Sequence, residues 1–246
     1  MKKLFIGTLS VSALLISFSL LGSSLVEAAQ AGAMTSNADI TFLQDTTVTS
    51  PVNPTDPTQT VTANPDDPHQ AGTAGPLSID YISNFHFGSQ QIKASAATYY
   101  AQLDKVKNGA GDLINVPNYA QVTDKRGLNL GWKLSVKQNG QFTTGGATPS
   151  TLTNAALTLV AATTNSTQSV ALAPVTIAAT LDPTGTATSR VATSAVSTGM
   201  GTWTLAFGTG ATAAQGVQLS VPQATAKVTN VQYKTTLNWI LDDTPL

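Results

Sequence analysis

Cysteine is absent from all 246 residues, so no disulfide staples this chain and no thiolate can serve as nucleophile or metal ligand. Histidine is nearly absent as well, with only His69 and His86. Two imidazoles without a thiol cannot assemble a usual tetrahedral zinc set unless several carboxylates join them. Glutamate occurs once, at Glu27, and charged residues make up only 10% of the chain. A paired-carboxylate glycosidase needs an acid of raised pKa in a cleft and would have to draw on aspartates such as Asp242 and Asp243. No Gly-x-Ser-x-Gly turn presents a serine, so a triad using His86 and Asp80 lacks its nucleophile. These absences exclude the common hydrolytic machineries, and neither enzymatic activity nor a cofactor is expected.

Long apolar runs are confined to the first residues. Lys2 and Lys3 precede an uncharged stretch from Leu4 to Leu21, and small residues follow at Ala28, Ala29 and Ala31. Val26-Glu27-Ala28 and Ala29-Gln30-Ala31 resemble A-x-A cleavage sites, so residues 1-28 read as a secretory signal peptide. A membrane anchor is the alternative, and the adjacent cleavage sites weigh against it. Export is therefore expected, with residues 29-246 as the mature chain. At the far end, Asp242-Asp243-Thr244-Pro245-Leu246 holds no sorting motif, apolar tail or basic residues. Retention on a cell is expected to rest on folded surface.

The net charge of −1 conceals a segregation. From Ala29 to Ile92 there are six aspartates and no Lys or Arg, while from Lys93 onward ten Lys or Arg face six Asp. A mildly basic body would be drawn to anionic polymers, although the same charges serve equally as plain solvated surface. Ten scattered basic residues without a run or an aromatic partner motif exclude nucleic acid as a partner.

What the sequence does have is alternation. Leu128, Leu130, Trp132, Leu134 and Val136 share one face of a predicted strand, and Asn139-Gly140 supplies a two-residue hairpin turn with Gln141 to Thr144 as the return arm. Further strands are predicted over 36–45, within 77–92, and over 156–161, 170–172, 175–178, 201–208, 216–221 and 232–241. Residues 94–106 are ambiguous between a short helix and strand plus turn. Six prolines between Ser50 and Pro76 deny both helix and ladder donors, so 50-76 reads as an acidic, flexible, solvated segment. It has no ligand-spaced calcium loop. The expected fold is all-β: a sandwich or Greek-key barrel of about eight to ten short strands.

Two W-x-L triplets, Trp132-Lys133-Leu134 and Trp239-Ile240-Leu241, each place an indole and a leucine on one face of a strand. Trp203-Thr204-Leu205 is a third. With Gly75 to Tyr81, Ser83 to Gly88, Val122 to Gly127, and Tyr233, Leu237, Trp239, Leu241 and Pro245, the chain resembles the secreted WxL-domain proteins of Gram-positive bacteria. The resemblance spans nearly the whole mature chain. It implies a surface protein attached non-covalently to the cell wall, to peptidoglycan or an associated anionic polymer. It also implies companions, namely other WxL proteins and a membrane-anchored partner. The rival expectation is a structural or adhesive subunit whose main contact is a protein or host matrix.

Alternation favours the tryptophans as core, while a half-buried indole at a sheet edge could also stack on sugar. The expected binding surface is Trp132, Leu134, Trp239 and Leu241, with Lys133, Lys137, Lys125 and Arg126 as its basic contacts.

Overall fold

The computed structural model describes residues 32–244, so the signal peptide and Pro245 lie outside the described residues. The chain divides into two units, Met1–Thr41 and Phe42–Leu246. In the first, residues 32–41 are exposed and form no strand. The strand expected over 36–45 is therefore absent, and Phe42 stands 85% exposed. Alternation alone does not make a strand, because an unpaired segment has no ladder to offset its ordering entropy.

The second unit is all-β, with two short 3-10 turns at Val170–Leu172 and Gly210–Gln215. Its strands begin with β1 (Val52–Asn53), β2 (Asp56–Thr60), β3 (Thr62–Ala63), β4 (Leu77–Ile82), β5 (Ala97–Tyr100) and β6 (Asp104–Lys107). They continue with β7 (Leu113–Val116), β8 (Tyr119–Asp124), β9 (Trp132–Gln138), β10 (Ala156–Leu159), β11 (Thr163–Asn165) and β12 (Val175–Thr176). The last are β13 (Ala179–Thr180), β14 (Ser189–Ser194), β15 (Gly201–Ala206), β16 (Val217–Val221) and β17 (Leu237–Asp242). Instead of eight to ten strands, the described residues form seventeen short ones, in five antiparallel sheets. Three have four strands each, in the orders β13-β10-β16-β5, β11-β15-β8-β4 and β12-β14-β9-β17.

Residues 94–106 resolve to strand, turn and strand. Of the two strands expected around residues 170–178, the first is a 3-10 turn and the second shortens to β12. The strand predicted from Leu128 begins only at Trp132, leaving Leu128 62% and Leu130 44% exposed. Gly127, Asn129 and Gly131 all have positive φ, a left-handed conformation no strand continues through. The expected Asn139-Gly140 hairpin also dissolves. Gly140 turns the chain, with φ 99°, but Thr143 then bridges Thr151 and Lys234, and β9 pairs with β14 and β17.

Segment 50-76 is not a wholly solvated loop. It carries β1 to β3, buries Val61, and is bonded to the body at Ser50 and Val52 by the Gln121 amide and at Pro54 O by Asn165 and Thr204. Buried amide and hydroxyl groups here do what apolar contacts do elsewhere, which is why the low hydrophobicity misleads.

The larger core cluster gathers Trp132, Leu134 and Val136 of β9, Leu157 and Leu159 of β10, Leu205 and Phe207, and Val217, Leu219 and Val221 of β16. A smaller one holds Val61, Tyr81, Val106, Val116 and Tyr119. No helix among the described residues is long and apolar enough to cross a membrane.

Candidate functional site

Strands β9 and β17 carry the two W-x-L triplets into one ladder, where Trp239 opposes Val136 and Leu241 opposes Leu134. Their indoles have different fates. Trp132 is completely buried, its Nε1–H donating to Gly199 O at 2.9 Å, and Leu134 is buried beside it. Neither can touch a ligand, so both are scaffold. Trp203 is likewise buried, its Nε1–H donating to Met200 O at 3.0 Å. Trp239 is half-buried against Phe207, with ring centroids 6.2 Å apart, and Leu241 is half-buried as well.

Most of the expected basic contacts are occupied by carboxylates. Arg126, nearly buried, forks onto Asp124 with Nε and Nη2 at 2.9 and 2.7 Å, and also donates to Gly131 O and Asp243 O. These hydrogen bonds raise the guanidinium pKa further, against the opposing effect of burial. Lys125 reaches Asp45 at 2.9 Å and Lys133 reaches Asp242 at 3.4 Å. Of the four, only Lys137 has no ion pair among the described residues. The structure thus brings Lys133 and Lys137 to one sheet with Trp239, and assigns Arg126 to the interior.

Beside Trp239 lies a feature the sequence did not announce. A groove of about 540 Å³ is lined by residues 70–73, by 79–85 from β4 onward, by Phe87 and Phe142, and by 235–239. Its aromatic members are Tyr81, Phe85, Phe87, Phe142 and Trp239, and its polar members include Gln70, Ser83, Asn84, Thr235 and Asn238. No lysine or arginine lines it. Phe87 meets Phe142 edge to face at 6.4 Å and Phe85 meets Phe207 at 6.2 Å, which fixes the ring planes. The one carboxylate in the lining, Asp80, is buried. Burial raises its pKa, against the lowering effect of hydrogen bonds from Ser78, Thr123 and Gln121. Asp80 therefore serves the interior, and it does not pair with His86.

Both histidines are placed, including His69, whose proline-rich surroundings suggested no fixed position. His69 stacks on Tyr81 at 4.9 Å, and Tyr81 stacks on Tyr119 at 4.6 Å. His86 points away from the flanking phenylalanines, as alternation predicts, and its Nε2 lies 2.9 Å from Asp67 Oδ2.

The described fold is all-β, and beside Trp239 it holds a groove of aromatic and neutral polar side chains. A family model for the WxL domain, described as surface cell wall-binding, matches residues 29–245. The chain belongs to this family of surface, cell wall-binding domains. No curated protein and no solved structure matches it.

Proposed function

We propose that the chain is an exported, non-enzymatic surface protein of a Gram-positive bacterium that attaches non-covalently to peptidoglycan, gripping the glycan in the groove beside Trp239. The observation that carries this reading is the groove's chemistry: the half-buried rings of Phe85, Phe87 and Trp239 interleave with amides and hydroxyls such as those of Gln70, Thr235 and Asn238, and no cation lines it. Amino-sugar chains present apolar ring faces edged by hydroxyl and acetamido groups, which such a surface can stack against and hydrogen-bond. Phosphate polymers would call for Lys or Arg, and those lie outside the groove, mostly paired. Export rests on the signal-peptide pattern of residues 1-28. The non-catalytic reading rests on two histidines engaged with Asp67 and Tyr81 and on the single groove carboxylate being buried under hydrogen bonds.

A second reading, a subunit docking a companion protein, is favoured by one observation. Strand β17 ends its sheet order, so one of its edges is unpaired among the described residues.

Sedimentation of the mature protein with protein-free sacculi, with and without teichoic acid and at low and high salt, separates these. Binding to stripped sacculi that persists in high salt and weakens at least ~10-fold in Trp239→Ala is the expected outcome, an aromatic contact being worth about 1–3 kcal/mol. Loss on removing teichoic acid or adding salt, and in the Lys133→Gln, Lys137→Gln pair, would move the contact to the basic face. No sedimentation under any condition points to the companion protein.

A further inference from the structure

Bordering the groove, and sharing Tyr81, Ser83 and Asn84 with its lining, segment 50-76 meets β6 at a cluster whose carboxylates and imidazole the wall-binding reading leaves unused. One ligand atom from each of Asp67, His69 and Asp104 lies within 4.8 Å of the others. Asp104 is only 5% exposed. Two carboxylates this close favour a shared proton or a cation; Asp67 is paired only with His86, and no lysine or arginine forms an ion pair with either among the described residues.

Hydrogen bonds around the cluster hold its lone pairs in place. Tyr81 Oη and Ser83 Oγ both donate to Asp104 Oδ2, at 2.8 and 2.6 Å, and Asn84 Nδ2 donates to Asp67 Oδ1 at 2.9 Å. His69 is held at Nε2, which lies 3.0 Å from Tyr81 Oη and accepts from the Asn84 N–H at 3.4 Å. Its Nδ1 is buried with no hydrogen-bond partner. In the same aromatic stack the hydroxyl of Tyr119, a residue with no exposure, is also buried and unpartnered. A cavity of about 130 Å³ opens against Asp67, Asp104, His86 and Lys105, with room for water; His69 adjoins the two carboxylates without lining it.

We propose that Asp67, His69 and Asp104 bind a divalent transition cation such as zinc, with His86 at the rim orienting Asp67 through its 2.9 Å contact to Oδ2. The donor set is one imidazole with two carboxylates, which suits zinc or cobalt better than the all-oxygen preference of calcium. Tyr81 and Asn84 hold the His69 ring at Nε2, and the donors to Asp67 and Asp104 orient the carboxylates. The cation would reinforce the β3–β6 pairing that already joins the proline-rich segment to the body, in a chain with no disulfide to do so.

The test uses tag-free mature protein, stripped with a chelator and titrated with Co²⁺ and then Zn²⁺, while visible absorption and thermal unfolding are followed. Expected are one equivalent of Co²⁺ with tetrahedral ligand-field bands, its displacement by Zn²⁺, and a higher unfolding temperature with metal. His69→Gln, checked to unfold in chelator at the wild-type temperature, should weaken binding at least ~10-fold, and Asp104→Asn should do the same. His86→Gln should shift the cobalt spectrum while keeping the stoichiometry. Absence of saturable binding at micromolar metal would overturn the proposal, as would binding that His69→Gln leaves unchanged. So would a protein stabilised by mild acid alone and indifferent to metal, since protonated histidines would then be the missing cation.

Discussion

Arg126 shows how a residue chosen for its charge can end as architecture. Its guanidinium sits on Asp124, itself 4% exposed, and also holds carbonyls of the 127–131 turn and the end of β17. Removing it leaves a buried carboxylate without a counter-charge, a defect worth about 3–5 kcal/mol. Arg126→Ala should therefore lower stability in urea unfolding by that order, while Lys137→Gln, which breaks no ion pair, should leave it nearly unchanged. Equal effects from the two would show that Arg126 is a surface charge after all. Glycines near the same turn are as constrained. A side chain at Gly131 would strike the Ser194 carbonyl and one at Gly199 the Ser194 hydroxyl, and Gly199 must also present its carbonyl to Trp132.

At the scale of the element, β17 is asymmetric. Asn139 N–H donates to Thr236 O at 2.9 Å, which makes 139 and 236 a hydrogen-bonded pair of the antiparallel ladder. By alternation Asn238 and Ile240 also bond to β9, whereas the amides of Leu237, Trp239 and Leu241 face the open edge. Amide exchange should reveal this as a fast, slow, fast, slow, fast pattern from Leu237 to Leu241. Uniform protection in free protein would mean the edge is already covered. The legibility of elements follows from the same alternation. β9, β10, β15 and β16 could be read because large apolar residues recur every second position. β8 and β14 could not: Gln121, Thr123, Asp124 and Ser194 are buried through hydrogen bonds, and hydropathy does not register that. The left-handed residues around Leu128 and Leu130 were signalled by their glycines, and the leucines drew the strand past them. The groove was illegible for another reason. Phe85, Phe142 and Trp239 come together only through pairings between distant strands, so only Trp239 stood out in the sequence.

The whole molecule divides by anchoring more than by composition. Residues 50–64 have low hydrophobicity yet bury Val61 and are bonded at Val52 and Pro54, while Ile40, Phe42 and Leu43 are apolar and exposed ahead of the Asp45–Lys125 pair. Thermolysin, which cuts before such apolar residues, should cleave between residues 39 and 43 and spare Val52 and Val61, as mass spectrometry of the limit product would show. Early cuts at Val61 would mean that the proline-rich segment is detached in solution.

The sheet holding the first W-x-L triplet has a further property, which concerns time. Trp132 pairs with Ser194, 62 residues on, and Val136 with Trp239, 103 residues on. The central β8 likewise waits for β15, since Val122 opposes Trp203. Each of these contacts requires a long loop to close first, so the chain folds slowly for its size, in milliseconds to seconds by the trend for such topologies. If the chain is exported as proposed above, delay is an asset: the strands that would lock it shut find their partners only after most of it has emerged.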